Sequence, residues 1–234
     1  MYVRTRMQSA MAARRGELRL LCLHGYRQDA AIFRARTGAL RKALRGHAQL
    51  EFLDAPHLVT AGSQSGEPSS RGWWFSNPSE GTFSALEESE SCSGLEESLE
   101  AVASAFVERG PFSGMMGFSQ GAALVGILCA LCQQGDPRFP FRFALLVSGF
   151  QSKAKPHHVY YDAPIAVPSI HIFGENDQVI PAAMSRELAA RFEGPRTLLH
   201  PGGHFVPAAG PQRKEYVAFL DQFGHAEGDD GTST

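Results

Sequence analysis

The sequence predicts an α/β fold with a mostly parallel central sheet and helices on both faces. Three observations carry this expectation: apolar runs of strand length recur along the chain, none alternates clearly with polar residues, and segments of helical character stand between them. A strand with one wet face would alternate; continuous apolar runs point to a sheet covered on both sides, with helices as the crossovers.

Leu18 to Leu23 is the first such run, and it ends at His24-Gly25, where glycine lets the chain turn into a loop. The spacing then predicts a helix from Ala31 to Leu44. It turns Ile32, Phe33, Leu40, Ala43 and Leu44 inward and Arg34, Arg36, Arg41, Lys42 and Arg45 outward. These cations read as a solvated face, since nothing glycine-rich or aromatic is interleaved with them. Gln49 to Leu53 reads as the second strand, closed by Asp54-Ala55-Pro56.

Residues 60–94 change character. They are rich in Ser, Gly, Glu and Pro and carry one hydrophobic island, Trp73-Trp74-Phe75, so they read as a long excursion over the sheet. The island anchors that excursion to the core or lines a pocket at the sheet's edge, and the two readings are compatible. Leu95 to Glu108 predicts a helix with Leu99, Val102, Ala103 and Phe106 on one face and Glu96, Glu97 and Glu100 on the other. Phe112 to Met116 reads as a buried strand and Ala122 to Cys129 as the apolar part of a buried helix. Phe143 to Val147 and Ser169 to Phe173 are two further strands, separated by a loop over residues 151–167 rich in Pro, His and Tyr. A helix after Pro181 reaching Phe192, a short strand from Thr197 to His200 and a helix from Arg213 to Phe223 complete the pattern. Residues 17–223 are thus expected as one domain, with a basic tail over 1–16 and a polar tail over 224–234, both disordered.

At 234 residues the chain can bury a full core without staples. A formal charge of -2 gives no electrostatic reason to expect nucleic acid or an anionic membrane as partner. No stretch approaches the ~20 apolar residues of a membrane span, so no stable membrane insertion is expected. The four cysteines make no dense framework: Cys22 lies in a strand, Cys92 in a polar loop, and Cys129 and Cys132 on one apolar helix, where they read as buried, inert thiols. No metal or cofactor is expected. The start carries Arg4, Arg6, Arg14, Arg15 and Arg19 against a single acid, Glu17, and lacks the apolar core of a secretory signal. A cytoplasmic location is the simpler reading; the same composition fits a mitochondrial presequence or an alternative start near Met11.

The chemistry centres on Gly117-Phe118-Ser119-Gln120-Gly121, at the junction of a strand and a helix. This is the sequence form of a nucleophile elbow, in which the flanking glycines remove the Cβ atoms that would collide where strand and helix cross. A serine hydroxyl is a poor nucleophile at neutral pH, so a histidine must take its proton and a carboxylate must orient that histidine. His204 is the candidate base: Gly202-Gly203 give it a flexible approach and Phe205-Val206-Pro207 an apolar support. His171 lies inside a strand, His200 ends one, His157 and His158 sit in an irregular loop and His225 in the tail. Asp177 is the candidate acid, because Val179, Ile180 and Pro181 behind it would bury its turn; Glu175 is nearer the strand end, and either carboxylate can orient a histidine. The oxyanion needs backbone donors, expected at Gln120 and at Tyr26, where Gly25 permits a sharp turn. His24 then reads as a residue that holds this loop. Trp73, Trp74 and Phe150 are the candidate substrate-pocket residues.

Four stretches together carry a family resemblance: Leu23-His24-Gly25-Tyr26-Arg27-Gln28, Gly117-Phe118-Ser119-Gln120-Gly121, Asp177-Gln178-Val179-Ile180-Pro181 and Gly202-Gly203-His204-Phe205-Val206-Pro207. From about Leu18 to Phe223 the chain resembles the FSH family of serine hydrolases. The resemblance implies a compact α/β-hydrolase fold, with Ser119, Asp177 and His204 as nucleophile, acid and base, in the chain order that this fold uses. The expected function is a serine carboxylic-ester hydrolase working through an acyl-enzyme on medium- or long-chain acyl esters. An acyl thioesterase is the alternative, since the same groups cleave both linkages. A non-catalytic binding protein on a hydrolase fold is the reading from another class, and the presence of all three candidate residues speaks against it.

Overall fold

The computed structural model describes residues 17–60 and 70–224, so the tails expected over 1–16 and beyond Gly224 lie outside the described residues. In chain order the elements are β1 (Leu18–Leu23), α1 (Ala30–Arg36), α2 (Gly38–Ala43), β2 (Ala48–Leu53), β3 (His57–Leu58), β4 (Arg71–Gly72), α3 (Leu95–Arg109), β5 (Gly114–Phe118), α4 (Gln120–Gln133), β6 (Phe143–Val147), β7 (Ser169–Gly174), α5 (Ala182–Ala189), β8 (Arg196–His200) and α6 (Gly210–Leu220). A short 3-10 helix, Lys155–Tyr161, lies between β6 and β7.

Six strands form one sheet in the order β2-β1-β5-β6-β7-β8, and every neighbouring pair is parallel. Alternate residues of the central strands β1, β5 and β6 feed two cores. Leu21, Leu23, Met115, Ala144 and Leu146 pack on one side with α3, α4 and α5. Leu20, Cys22, Met116, Phe118, Phe143, Leu145 and Val147 pack on the other with Phe33, Leu40, Tyr216 and Phe219 from α1, α2 and α6. Covering both faces explains why the strand sequences are apolar without alternation. The strand order reverses at β1, with β2 on one side of it and β5 on the other, and loops at the carboxyl ends there diverge and leave a crevice.

Several boundaries differ from the sequence expectation for local reasons. The single helix expected from Ala31 to Leu44 is two helices. The Thr37 hydroxyl donates to the Phe33 carbonyl at 2.7 Å, and its backbone turns out of helical geometry (φ -97°, ψ 16°), so that Gly38 opens a second helix. β5 starts at Gly114 instead of Phe112, which turns into the core against Phe106; the Phe143 ring fills the space that a Cβ at 114 would need. α6 begins at Gly210, three residues before Arg213, because Pro211 suits a first helical turn. No helix among the described residues is long and apolar enough to cross a membrane.

The excursion after β2 contributes the antiparallel pair β3-β4 and then runs without regular strand or helix to α3. Trp73 and Trp74 are fully buried, as an anchor would be. The side chain of Gln120 clamps them: its Oε1 accepts from the Trp73 N–H at 2.9 Å and its Nε2 donates to the Trp74 carbonyl at 2.8 Å. The Trp73 indole N–H donates to the His24 carbonyl at 2.8 Å, which ties the excursion to the loop after β1.

Candidate active site

Ser119 stands at the turn from β5 into α4 with φ 55° and ψ -119°, a left-handed conformation that costs a non-glycine residue energy. Close packing imposes it. A Cβ on Gly117 would lie 2.5 Å from the Ala122 backbone nitrogen, and one on Gly121 would lie 2.3 Å from the Leu23 carbonyl oxygen. The start of α4 is therefore pressed against the end of β1. A Cβ on Gly25 would lie 3.3 Å from the Ser119 Cβ, which puts the loop after β1 directly beside the serine.

Asp177 and His204 come from the loops after β7 and β8. Those loops are stitched together by hydrogen bonds from the Glu175 N–H to the His200 carbonyl (2.7 Å) and from the Asn176 N–H to the Gly202 carbonyl (3.1 Å). The Asn176 side chain adds a third, to the Pro201 carbonyl at 2.8 Å. Gly174 makes this approach feasible, since a Cβ there would meet the Gly202 carbonyl oxygen at 2.4 Å. The result is a contact of 2.7 Å between His204 Nδ1 and Asp177 Oδ2. Asp177 is buried and accepts three further hydrogen bonds, from the N–H groups of Val179 and Ile180 at 2.9 Å each and from the Ser148 hydroxyl at 3.0 Å. Burial works against its charge, but the hydrogen bonds from His204, Ile180 and Val179 outweigh it and hold the carboxyl below the ordinary carboxylate value. Glu175 is exposed. Of the two carboxylates that the sequence left open, the structure brings Asp177 to the histidine.

Two backbone amides, of Tyr26 beside the serine in the loop after β1 and of Gln120 after the serine, have no hydrogen-bond partner in their own turn or helix. The Gly25 carbonyl accepts from the Gln28 N–H at 3.2 Å, closing a turn in which Arg27 takes φ 60°. Arg27 donates its N–H to the Arg71 carbonyl, whereas the Tyr26 N–H takes part in none of the turn's hydrogen bonds. The Gln120 N–H opens α4, where no carbonyl of its own helix can reach it. His24, beneath them, accepts the Ala55 N–H at Nε2 (3.0 Å), which leaves Nδ1 to donate to the Gly25 carbonyl (2.8 Å). Burial lowers its pKa, so it is a neutral strut for the loop, as expected from the sequence.

Ser119 and His204 line one cleft of about 500 Å³. Its walls are Gly25, Tyr26, Gln28 and Arg36 near α1, Phe83, Ala85 and Leu86 from the excursion, and Gln178, Val179 and Ile180 beside β7. Trp73, Trp74 and Phe150, expected to line a pocket, are instead buried behind this wall. Phe83, which lines the cleft, packs against two of them, with ring centroids 5.5 Å from Trp74 and 6.0 Å from Phe150, while Trp73 packs on His24. Phe83, Ala85 and Leu86 were missed because three apolar residues in a serine- and glutamate-rich stretch give no periodic signal; their clustering was the only available cue.

Of the other histidines, His157 donates or accepts between Ser152 Oγ (2.8 Å) and Cys92 Sγ (3.0 Å), and His171 is buried beside Ser169 and Phe192. Burial pushes the thiols of Cys129 and Cys132 above the ordinary cysteine value, consistent with packing residues. Among the described residues, no three His, Cys, Asp or Glu side chains group in a way that could hold a metal ion.

A family model described as serine hydrolase (FSH1) matches residues 13–216. The chain is 57% identical over 220 residues to esterase OVCA2 of Xenopus tropicalis, covering 91% of this chain and 96% of that protein. It is 53% identical over 226 residues to esterase OVCA2 of Homo sapiens, covering 91% of this chain and 99% of that protein. Among solved structures, it is similar to the Bacillus cereus carboxylesterase with a TM-score of 0.58 at 16% identity, over 89% of this chain and 90% of that one. The architecture is the α/β-hydrolase fold.

Proposed function

The chain belongs to the serine hydrolase (FSH1) family, and from that footing we propose that it hydrolyses carboxylic esters through a Ser119, His204, Asp177 triad and an acyl-enzyme intermediate. The observation that carries this reading is the 2.7 Å contact of His204 with a buried carboxylate, on the cleft that Ser119 also lines.

In this reading His204 takes the Ser119 proton at Nε2 as the oxygen attacks the ester carbonyl. Asp177, held ionised, fixes the ring with Nδ1–H toward it and stabilises the imidazolium that forms. The tetrahedral oxyanion is received by the N–H groups of Tyr26 and Gln120, each of which is free of a competing carbonyl in its turn or helix; one such donor contributes about 3 kcal/mol. His204 then returns the proton to the leaving alcohol, and a water repeats the sequence on the acyl-enzyme.

The apolar wall of Phe83, Ala85, Leu86, Val179 and Ile180 suits a medium or long acyl chain. The four free cysteines fit a cytosolic setting. The test is a series of p-nitrophenyl esters from acetate to palmitate, followed in the pre-steady state, with a matched acyl thioester alongside. A burst of nitrophenol equal to the enzyme concentration and a rise of kcat/KM with chain length support the proposal. No turnover of any ester overturns it, and thioester turnover alone replaces it with the thioesterase reading.

A further inference from the structure

Among the described residues, Arg36 is the only Arg, Lys, Asp or Glu that lines the cleft holding Ser119 and His204. It ends α1, one helical turn beyond Phe33, whose ring stacks on Phe118 with centroids 6.0 Å apart, immediately before the serine. Among the described residues Arg36 forms no ion pair, although the neighbouring Arg34 lies over the Phe52 ring and Arg19 pairs with Glu51. Among the described residues no carboxylate lines the cleft to offset it. The same α1 side carries Gln28, only 7% exposed, whose Oε1 is buried without a hydrogen-bond partner. A carboxamide end left unpaired at that depth costs about 1 to 3 kcal/mol unless something in the cleft meets it. The facing walls are mostly apolar, interrupted by Ser84 and Gln178, and Leu86 and Val179 are more than half exposed there.

We infer that the cleft selects amphiphilic esters that carry an anionic group, a carboxylate or a phosphate, which Arg36 engages while Phe83, Leu86 and Val179 hold the chain. This deepens the esterase proposal and rests on it. A guanidinium presents paired N–H donors that match the two oxygens of either anion, and at a cleft mouth it also draws anions in from solution. Gln28, on the lining of the same cleft, adds a carboxamide whose Oε1 has no hydrogen-bond partner.

The experiment compares p-nitrophenyl esters of equal chain length that end in a methyl, a carboxylate or a phosphate. A second series carries the carboxylate on the aryl leaving group, with the carboxamide as its neutral match. The structure predicts that in at least one series the anionic member has the higher kcat/KM, by about threefold to tenfold for a solvent-facing ion pair. This preference should shrink as salt rises from about 20 mM to about 500 mM, because screening shortens its reach. Arg36→Gln should bring the ratio to about one, and Arg36→Lys should keep part of it. The carboxylate and phosphate arms tell which anion is meant. An equal or neutral preference in both series at low salt overturns this inference and leaves the esterase proposal standing, as does a preference unchanged by Arg36→Gln. Failure to cleave any of the esters overturns both.

Discussion

His204 Nδ1 and Asp177 Oδ2 lie 2.7 Å apart, although 27 residues separate them and each stands on its own loop. Asp177 uses its other oxygen, Oδ1, for the Val179 and Ile180 amides, so the carboxylate is held from both sides. Asp177→Asn should keep this shape but present a neutral amide to the ring and favour the wrong tautomer. Ester kcat is expected to fall on the order of a thousandfold or more. A loss below tenfold would remove Asp177 from the catalytic account.

The carboxamide of Gln120 holds Trp73 and Trp74, while its backbone N–H is the one proposed to receive the oxyanion. Gln120→Ala keeps the backbone N–H and removes the carboxamide, leaving a buried N–H and a buried carbonyl unpaired. The expected cost is about 2 to 6 kcal/mol in urea unfolding, since each of the two orphaned groups costs about 1 to 3 kcal/mol. Fully native stability in this variant would mean that the clamp contributes nothing.

Gly121 lies where a Cβ would sit 2.3 Å from the Leu23 carbonyl oxygen, a backbone atom that cannot swing aside. Gly121→Ala must push α4 away from β1, which separates the Tyr26 and Gln120 amides. Both stability and kcat should fall, stability by about 2 kcal/mol or more as for other overpacked cores. Calorimetry and ester turnover on the same preparation check the two together.

The succession of strands along the chain and the loops that carry Ser119, Asp177 and His204 were legible because both rest on local signals. Buried parallel strands are apolar runs, and Ser119 and Asp177 each follow one, while His204 follows the short edge strand β8. The choice of Asp177 over Glu175 was readable from Val179 and Ile180, whose amides turn out to bind it. What escaped was non-local. The break at Thr37 comes from a hydroxyl bonding back to Phe33, and the withdrawal of Trp73 and Trp74 from the cleft comes from a side chain 46 or 47 residues away. Neither the Phe83 to Leu86 wall nor the place of Arg36 on the cleft follows from periodicity; Arg36 read simply as one of several outward cations.

Stability should depend on pH through two buried histidines. Burial lowers His157 to about 4, with His158 adding to the effect, and lowers His171 to about 3. In the unfolded chain both protonate near about 6.5. Between those values the unfolded state holds more protons, so stability is full above about pH 6.5 and declines as pH falls, by about 1.4 kcal/mol per unit for each histidine. Asp177 acts further down, its contribution present above the ordinary carboxylate value and lost as pH falls through its lowered one. Urea unfolding at about pH 7 and about pH 5 should differ by about 4 kcal/mol. Equal stability at the two would contradict the burial of these rings as neutral groups.

The central claim is that Ser119 is the nucleophile, and the most direct measurement is covalent labelling by a fluorophosphonate probe, read by intact mass and peptide mapping on wild type and Ser119→Ala. The account predicts one label per wild-type chain, located on Ser119, and neither label nor ester turnover in the folded variant. Labelling at another residue, or a Ser119→Ala protein that still turns over esters at the wild-type rate, would contradict it.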